Sequence, residues 1–197
     1  MTDRTTRPLV VVAAFAASLA VGLVTMLWLL GGVRGVAAPA AIGGPFQLTD
    51  QAGETVTEKS LVGRPTLIFF GFTHCPDVCP TELFEMSEVL RAMGSDADRV
   101  NAYFISVDPE RDTTAAMKDY LSSFDPHLKG LTGDPEAVAK AISDYRVYAK
   151  KVPLKDGDYT MDHTALIYLM DRDGKFVAPF NLKQKPEAAA ADLKRYL

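Results

Sequence analysis

Cys75 and Cys79 are the two cysteines of this 197-residue chain, set in Thr73-His74-Cys75-Pro76-Asp77-Val78-Cys79-Pro80. If the helix begins early, thiols at i and i+4 stand one turn apart on one face, with an expected Cα separation of roughly 6 Å; if the segment is a loop, both still sit at a helix N-terminus. That distance permits a disulfide. Closing so short a loop removes little entropy from the unfolded chain, however, so a purely structural staple explains the pair poorly. Chemistry explains it better. A thiolate is both a redox nucleophile and a soft metal ligand, and the free N–H groups and macrodipole of a helix starting here would ease its ionisation. Pro76 and Pro80 stiffen the turn that carries both sulfurs.

Three chemistries compete for such a pair. Thiol–disulfide oxidoreductases usually carry Cys-x-x-Cys, one residue shorter. A structural zinc site closes a tetrahedron with four ligands, and no second ligand pair at short spacing is present. Two thiolates and one imidazole suit a single copper ion, above all Cu(I), which accepts low coordination. The imidazole must come from one of three histidines. His74 adjoins Cys75 and reads as a strand-end residue directed away from the sulfurs. His127 follows Pro126 in a helix-end loop and reads as surface. His163, in Met161-Asp162-His163-Thr164 ahead of an apolar strand, is the candidate third ligand. Asp77 and Asp162 are either solvated loop carboxylates or partners that orient a ligand.

Positioning these groups falls to the surrounding elements. Pro65 to Phe72 (PTLIFFGF) suits a strand buried on both faces. After the cysteines, Leu83, Met86, Leu90 and Met93 mark a helix that Gly94 stops. Val100 to Val107 is a second buried strand. It leads through Asp108-Pro109-Glu110-Arg111-Asp112 to a helix capped by Asp112 or Thr113, with Met117, Tyr120, Leu121 and Phe124 on one face. Pro135 opens a helix expected to run to about Tyr148. Thr164 to Met170 is a further strand, turned by Asp171-Arg172-Asp173-Gly174 into Lys175 to Ala178, and Pro186 opens a last helix. Upstream, Phe46 to Leu48 and the turn at Asp50 to Gly53 add a short strand. Strands alternating with helices imply parallel βαβ units closed by an antiparallel edge. The order fits an α/β, thioredoxin-like sandwich with an N-terminal extension. There the loop after the first central strand lies at the carboxyl edge, where open α/β sheets place their sites. The loop before the Thr164 strand lies opposite, so His163 is able to close on both sulfurs.

Leu9 to Leu30 holds 22 residues without a charge, and roughly 20 suffice to span the hydrocarbon core as one transmembrane helix. Arg4 and Arg7 keep residues 1–8 in the cytoplasm by the positive-inside rule, which puts everything after the anchor on the far side. Ala38-Pro39-Ala40 loosely resembles a cleavage site, yet the apolar stretch exceeds the ~7–15 residues of a signal h-region. Residues 31–44 read as a Gly/Ala/Pro-rich linker, and residues 45–197 as one domain. The 48% apolar content suits a globular core. The net charge of −4, with no basic run, argues against a nucleic-acid partner. An anchor lacking an Arg/Ser-rich transit segment favours a bacterial inner membrane, with the domain in the periplasm.

GFTHCPDVCPTEL (71–83), ISVDPERDT (105–113), LTG (131–133) and DHTALIYLMDRDG (162–174) resemble the SCO/SenC family of cytochrome oxidase assembly factors over about residues 43–197, behind a similar single anchor. A lone Cys-x-x-x-Cys is unspecific; its conjunction with flanking prolines and a distant Asp-His is specific. The resemblance implies a metallochaperone rather than an enzyme, holding Cu(I) or Cu(II) on Cys75, Cys79 and His163. It also implies a copper donor protein upstream, and the copper A centre of cytochrome c oxidase subunit II as recipient. The family's other assigned role, a membrane-bound thiol–disulfide reductase, needs the redox pair Cys75 and Cys79 but not His163 as ligand. A peroxiredoxin-like peroxidase fits poorly, because Thr73 stands only two residues before Cys75.

Overall fold

The computed structural model describes residues 6–31, 41–155 and 157–197. Arg4, the Ala38-Pro39-Ala40 site and residues 32–40 of the expected linker lie outside them. The chain divides into two units, Met1–Ala40 and Ala41–Leu197. The first holds one helix, α1 (Thr6–Gly31). Its stretch Val10–Trp28 is long and apolar enough to cross a membrane.

The second unit is the expected thioredoxin-like α/β sandwich. Its strands are β1 (Gln47–Asp50), β2 (Thr55–Thr57), β3 (Thr66–Gly71), β4 (Asn101–Ser106), β5 (Leu128–Thr132), β6 (Ala149–Pro153), β7 (Tyr159–His163), β8 (Ile167–Met170) and β9 (Phe176–Pro179). Its helices are α2 (Val78–Met93), α3 (Thr114–Leu121), α4 (Pro135–Asp144) and α5 (Pro186–Lys194). Seven strands form one sheet in the order β2-β1-β5-β4-β3-β8-β9. β3, β4 and β5 run parallel, and β8 and β9 add the antiparallel edge. Every residue of β3 is buried, which is why its sequence is continuously apolar rather than alternating. α2 and α5 pack together, and α3 packs on β5. Thr113 caps α3, its hydroxyl accepting from Ala116 N–H at 3.2 Å. Asp134 caps α4 with Pro135 in the first turn, a start the ring's fixed φ favours.

Three expectations are corrected. α4 stops at Asp144 rather than near Tyr148. Arg146 then turns left-handed at φ 56°, and Val147 N–H closes on Ile142 O at 2.9 Å. This is a helix ending that glycine usually supplies, so the sequence gives no stop signal there. The strand expected over 164–170 is shortened to β8. Before it lies an unforeseen hairpin, β6–β7, which forms a two-stranded sheet of its own. Neither of its strands buries a clean face, so the period-two signal is weak. His163 therefore ends a strand instead of occupying a loop.

His127, expected at the surface, is half-buried. Its Nδ1 faces Asp125 Oδ1 at 2.7 Å and its Nε2 faces Asp98 Oδ1 at 3.1 Å. Asp125 chiefly, and then Asp98, hold the imidazole above its ordinary value, against the opposing effect of burial. A group bound more tightly to its proton in the folded state stabilises most at low pH. This contribution is thus complete below pH 6.5, the unfolded value, and is lost as pH climbs through the raised folded one. Urea midpoints measured across neutrality should show that decline, and His127→Gln should flatten it.

Candidate metal centre

The cysteine turn hangs from the carboxyl end of β3. Cys75 N–H donates to Phe72 O at 3.3 Å, and α2 begins three residues later. Cys79 sits in the first helical turn with no solvent exposure, whereas Cys75 is only partly covered. Pro80 costs no hydrogen bond so early in the helix. Gly71 makes the burial possible: a Cβ there would stand 2.8 Å from Cys79 Sγ and 2.7 Å from Phe104 Cε2. Cys79 N–H donates to Cys75 Sγ at 3.4 Å, which ties the two sulfurs into one turn.

His163 reaches this turn from β7. Its Nε2 lies 3.5 Å from Cys79 Sγ, while its Nδ1 stands 3.0 Å from Thr164 O. A carbonyl only accepts, so Nδ1 carries a proton, which leaves Nε2 as the ring nitrogen able to offer a lone pair toward the sulfur. Phe69 and Phe72 flank the ring edge-on at 6.2 and 5.8 Å. Burial pushes the Cys79 thiol well above the ordinary thiol range; a hydrogen bond from the Phe72 backbone opposes this, and Cys75 and Asp112 add to it. The eased ionisation that the sequence suggested is therefore not found at Cys79, where burial holds the proton on.

Sequence reasoning missed the layer behind these groups. Asp112, one of the two expected caps of α3, is instead fully buried. Thr73 donates to it through N–H at 3.2 Å and O–H at 2.6 Å, and Ser106 through O–H at 2.6 Å. Burial raises the carboxyl and these bonds counteract it. Asp112 thereby fastens the segment entering the cysteine turn to the end of β4. Asp108, Arg111 and Tyr159 join the following loop to β7. The only sequence hint was two aspartates and an arginine packed into five residues at the carboxyl edge of a buried strand.

Among the described residues, Cys75, Cys79 and His163 form a group whose ligand atoms all lie within 4.8 Å of one another. Donors sharing one ion at about 2.0–2.3 Å stand roughly 3.5–4 Å apart, so three donors within this limit, two of them 3.5 Å apart, are spaced to share one cation. Two sulfurs and an imidazole select a soft or borderline ion. His74 is exposed, with Nδ1 3.0 Å from Thr73 Oγ1, and stays outside the group. Asp77 and Asp162 are exposed and outside it as well.

Comparison with known proteins gives a consistent picture. The SCO1/SenC family model matches residues 34–197. The human mitochondrial SCO1 homologue is 46% identical over 154 residues, covering 76% of this chain and 51% of that protein. The chain spans about half the length of the curated relatives it matches, between 42% and 56% for three of them. The copper-bound structure of Bradyrhizobium japonicum ScoI is 82% identical, covers 80% of this chain and 100% of that one, and superposes with a TM-score of 0.79. Copper-bound yeast Sco1 is 38% identical, with coverages of 79% and 88% and a TM-score of 0.72.

Gly71→Ala should force Cys79 from its position and destabilise the fold by ~1–3 kcal/mol through overpacking. Faster alkylation of Cys79 in the metal-free protein, together with a lowered urea midpoint, is the expected result.

Proposed function

The chain belongs to the SCO1/SenC family, and from that premise we propose that it holds one copper ion between Cys75, Cys79 and His163. The ion is cargo: the family resemblance points to delivery into the copper A centre of cytochrome c oxidase subunit II, after loading from a donor protein. The observation that carries this reading is the convergence of two sulfurs and a lone-pair nitrogen from segments 84 residues apart in sequence. Copper bound in ScoI at 82% identity supports it.

The chemistry of the site suits transfer. Three donors with one half-covered sulfur form an incomplete cage, which loads and unloads more readily than a closed one. A metal displaces the thiol protons, so binding strengthens as pH rises. Oxidation of the two thiolates of Cys75 and Cys79 to a disulfide removes both anionic ligands and forms one S–S bond, with two electrons passing to an external thiol oxidant; the thiol protons have already left on metal binding. Thiol redox state then gates occupancy. α1 acts as a single anchor in a bacterial inner membrane, with a short spacer after it and the domain on the periplasmic side. Tethering there raises the local concentration around a membrane-bound recipient.

A second reading, a thiol–disulfide reductase, is favoured by the free, neighbouring cysteines. Cys75, the more accessible sulfur, would attack the partner disulfide, and Cys79 would resolve the mixed disulfide.

The reduced protein should bind one Cu(I) per chain in competition with a chelator. Cys75→Ser, Cys79→Ser and His163→Ala should each abolish or strongly weaken that binding, and diamide oxidation should release the ion. Retention of full affinity by all three variants would refute the ligand assignment. Reductase activity surviving in His163→Ala while copper binding fails would show two separable activities.

A further inference from the structure

β6 and β7 hydrogen-bond to each other and, among the described residues, not into the seven-stranded sheet. A two-stranded ribbon is marginal by itself, so side-chain contacts must fix its tilt. At one end, His163 runs on into β8. The other end meets the loop after β4. Arg111 Nε donates to Asp108 Oδ2 at 2.6 Å, and its Nη1 donates to Tyr159 O at 2.9 Å. The guanidinium also lies 3.7 Å from the centroid of the Tyr159 ring, and Tyr159 O–H donates to Asp108 Oδ1 at 2.9 Å. Lys151, on the neighbouring strand, places Nζ 3.8 Å from the same ring and 2.7 Å from Glu110 Oε2. Arg111 Nη2 is buried without an acceptor, a cost that the guanidinium's other contacts must offset.

We propose that Arg111 and Tyr159 are positioning residues that clamp the β6–β7 ribbon to the loop after β4 and so hold His163 against Cys79. Tyr159, Met161 and His163 alternate onto one face of β7, and that face turns toward the loop and the cysteine turn. Phe72 links the two ends, its ring lying 5.9 Å from the Arg111 guanidinium and 5.8 Å from the imidazole. Releasing the clamp frees the ribbon to tilt and carries the nitrogen away from the sulfurs. The clamp's effect on copper rests on the reading of His163 as a ligand; its effect on Cys79 shielding does not.

The test uses the full chain in detergent micelles. In the metal-free reduced protein, Arg111→Met should raise the alkylation rate of Cys79 about tenfold by local opening, and Arg111→Lys should recover much of the protection. Copper retention against a chelator should fall ~10–100-fold in Arg111→Met, the range typical when groups supporting a ligand are lost. The nitrogen hyperfine signal of the Cu(II)-loaded variant should weaken toward that of His163→Ala. Tyr159→Phe, which deletes one hydroxyl, should move each readout in the same direction by less, with an unchanged thermal midpoint, and it decides the matter if Arg111→Met fails to fold. Wild-type alkylation rates in whichever of these variants fold overturn the clamp. If His163→Ala alone retains copper, the ligand reading fails, while the metal-free alkylation still judges the clamp.

Discussion

Cys79 joins two properties that normally conflict: it is a candidate ligand in the first turn of a helix, and it is sealed from solvent. Sealing depends on a hydrogen atom where another residue would carry a Cβ, at Gly71, and on the imidazole that stands 3.5 Å from the sulfur. The consequence is electrostatic. A buried thiol keeps its proton, because a bare thiolate in an apolar surround has lost its hydration. A cation that takes the site must provide the compensating charge itself. Cys79 is therefore held as a thiol before a metal binds, and the energetics of loading include its proton leaving for water.

The two sides of the centre are built differently. The sulfurs hang from β3, whose residues are all buried, through a turn fastened by Asp112. The nitrogen arrives on a ribbon held mainly by polar and cation–π contacts. Dense apolar packing resists displacement, whereas contacts of the second kind are individually weak and partly solvated. The centre thus joins a side set in dense apolar packing to a side held by polar and cation–π contacts.

Elements governed by strong periodicity or unambiguous punctuation were legible in the sequence. β3 announced itself by its apolar run, α2 by its spacing and the glycine after it, and the starts of α3 and α4 by Thr113 and Pro135. The two cysteines and His163 were legible by residue type, with the fold class supplying their proximity. Illegible features were those decided by tertiary context. The β6–β7 ribbon carries lysines and a proline where a strand signal would need alternating apolar residues. Arg146 adopts a backbone conformation that nothing in its type advertises. Asp112 looked like a helix cap, and only the arrangement of Thr73 and Ser106 around it explains its burial. His127 looked like surface until two carboxylates were found on opposite sides of its ring.

The separation of the donors along the chain also bears on when the centre comes into being. Cys75 and Cys79 are neighbours in any conformation, but the imidazole joins them only after β4, β5 and the ribbon have taken their places. A nascent chain synthesised from its N-terminus presents a bare dithiol for the interval in which some eighty residues remain to be made or ordered. During that interval the sulfurs are open to premature oxidation or to capture of a stray ion by two donors alone. Completion of the fold then adds the nitrogen and closes the interior around Cys79, so maturation of the polypeptide and maturation of the binding centre are the same event.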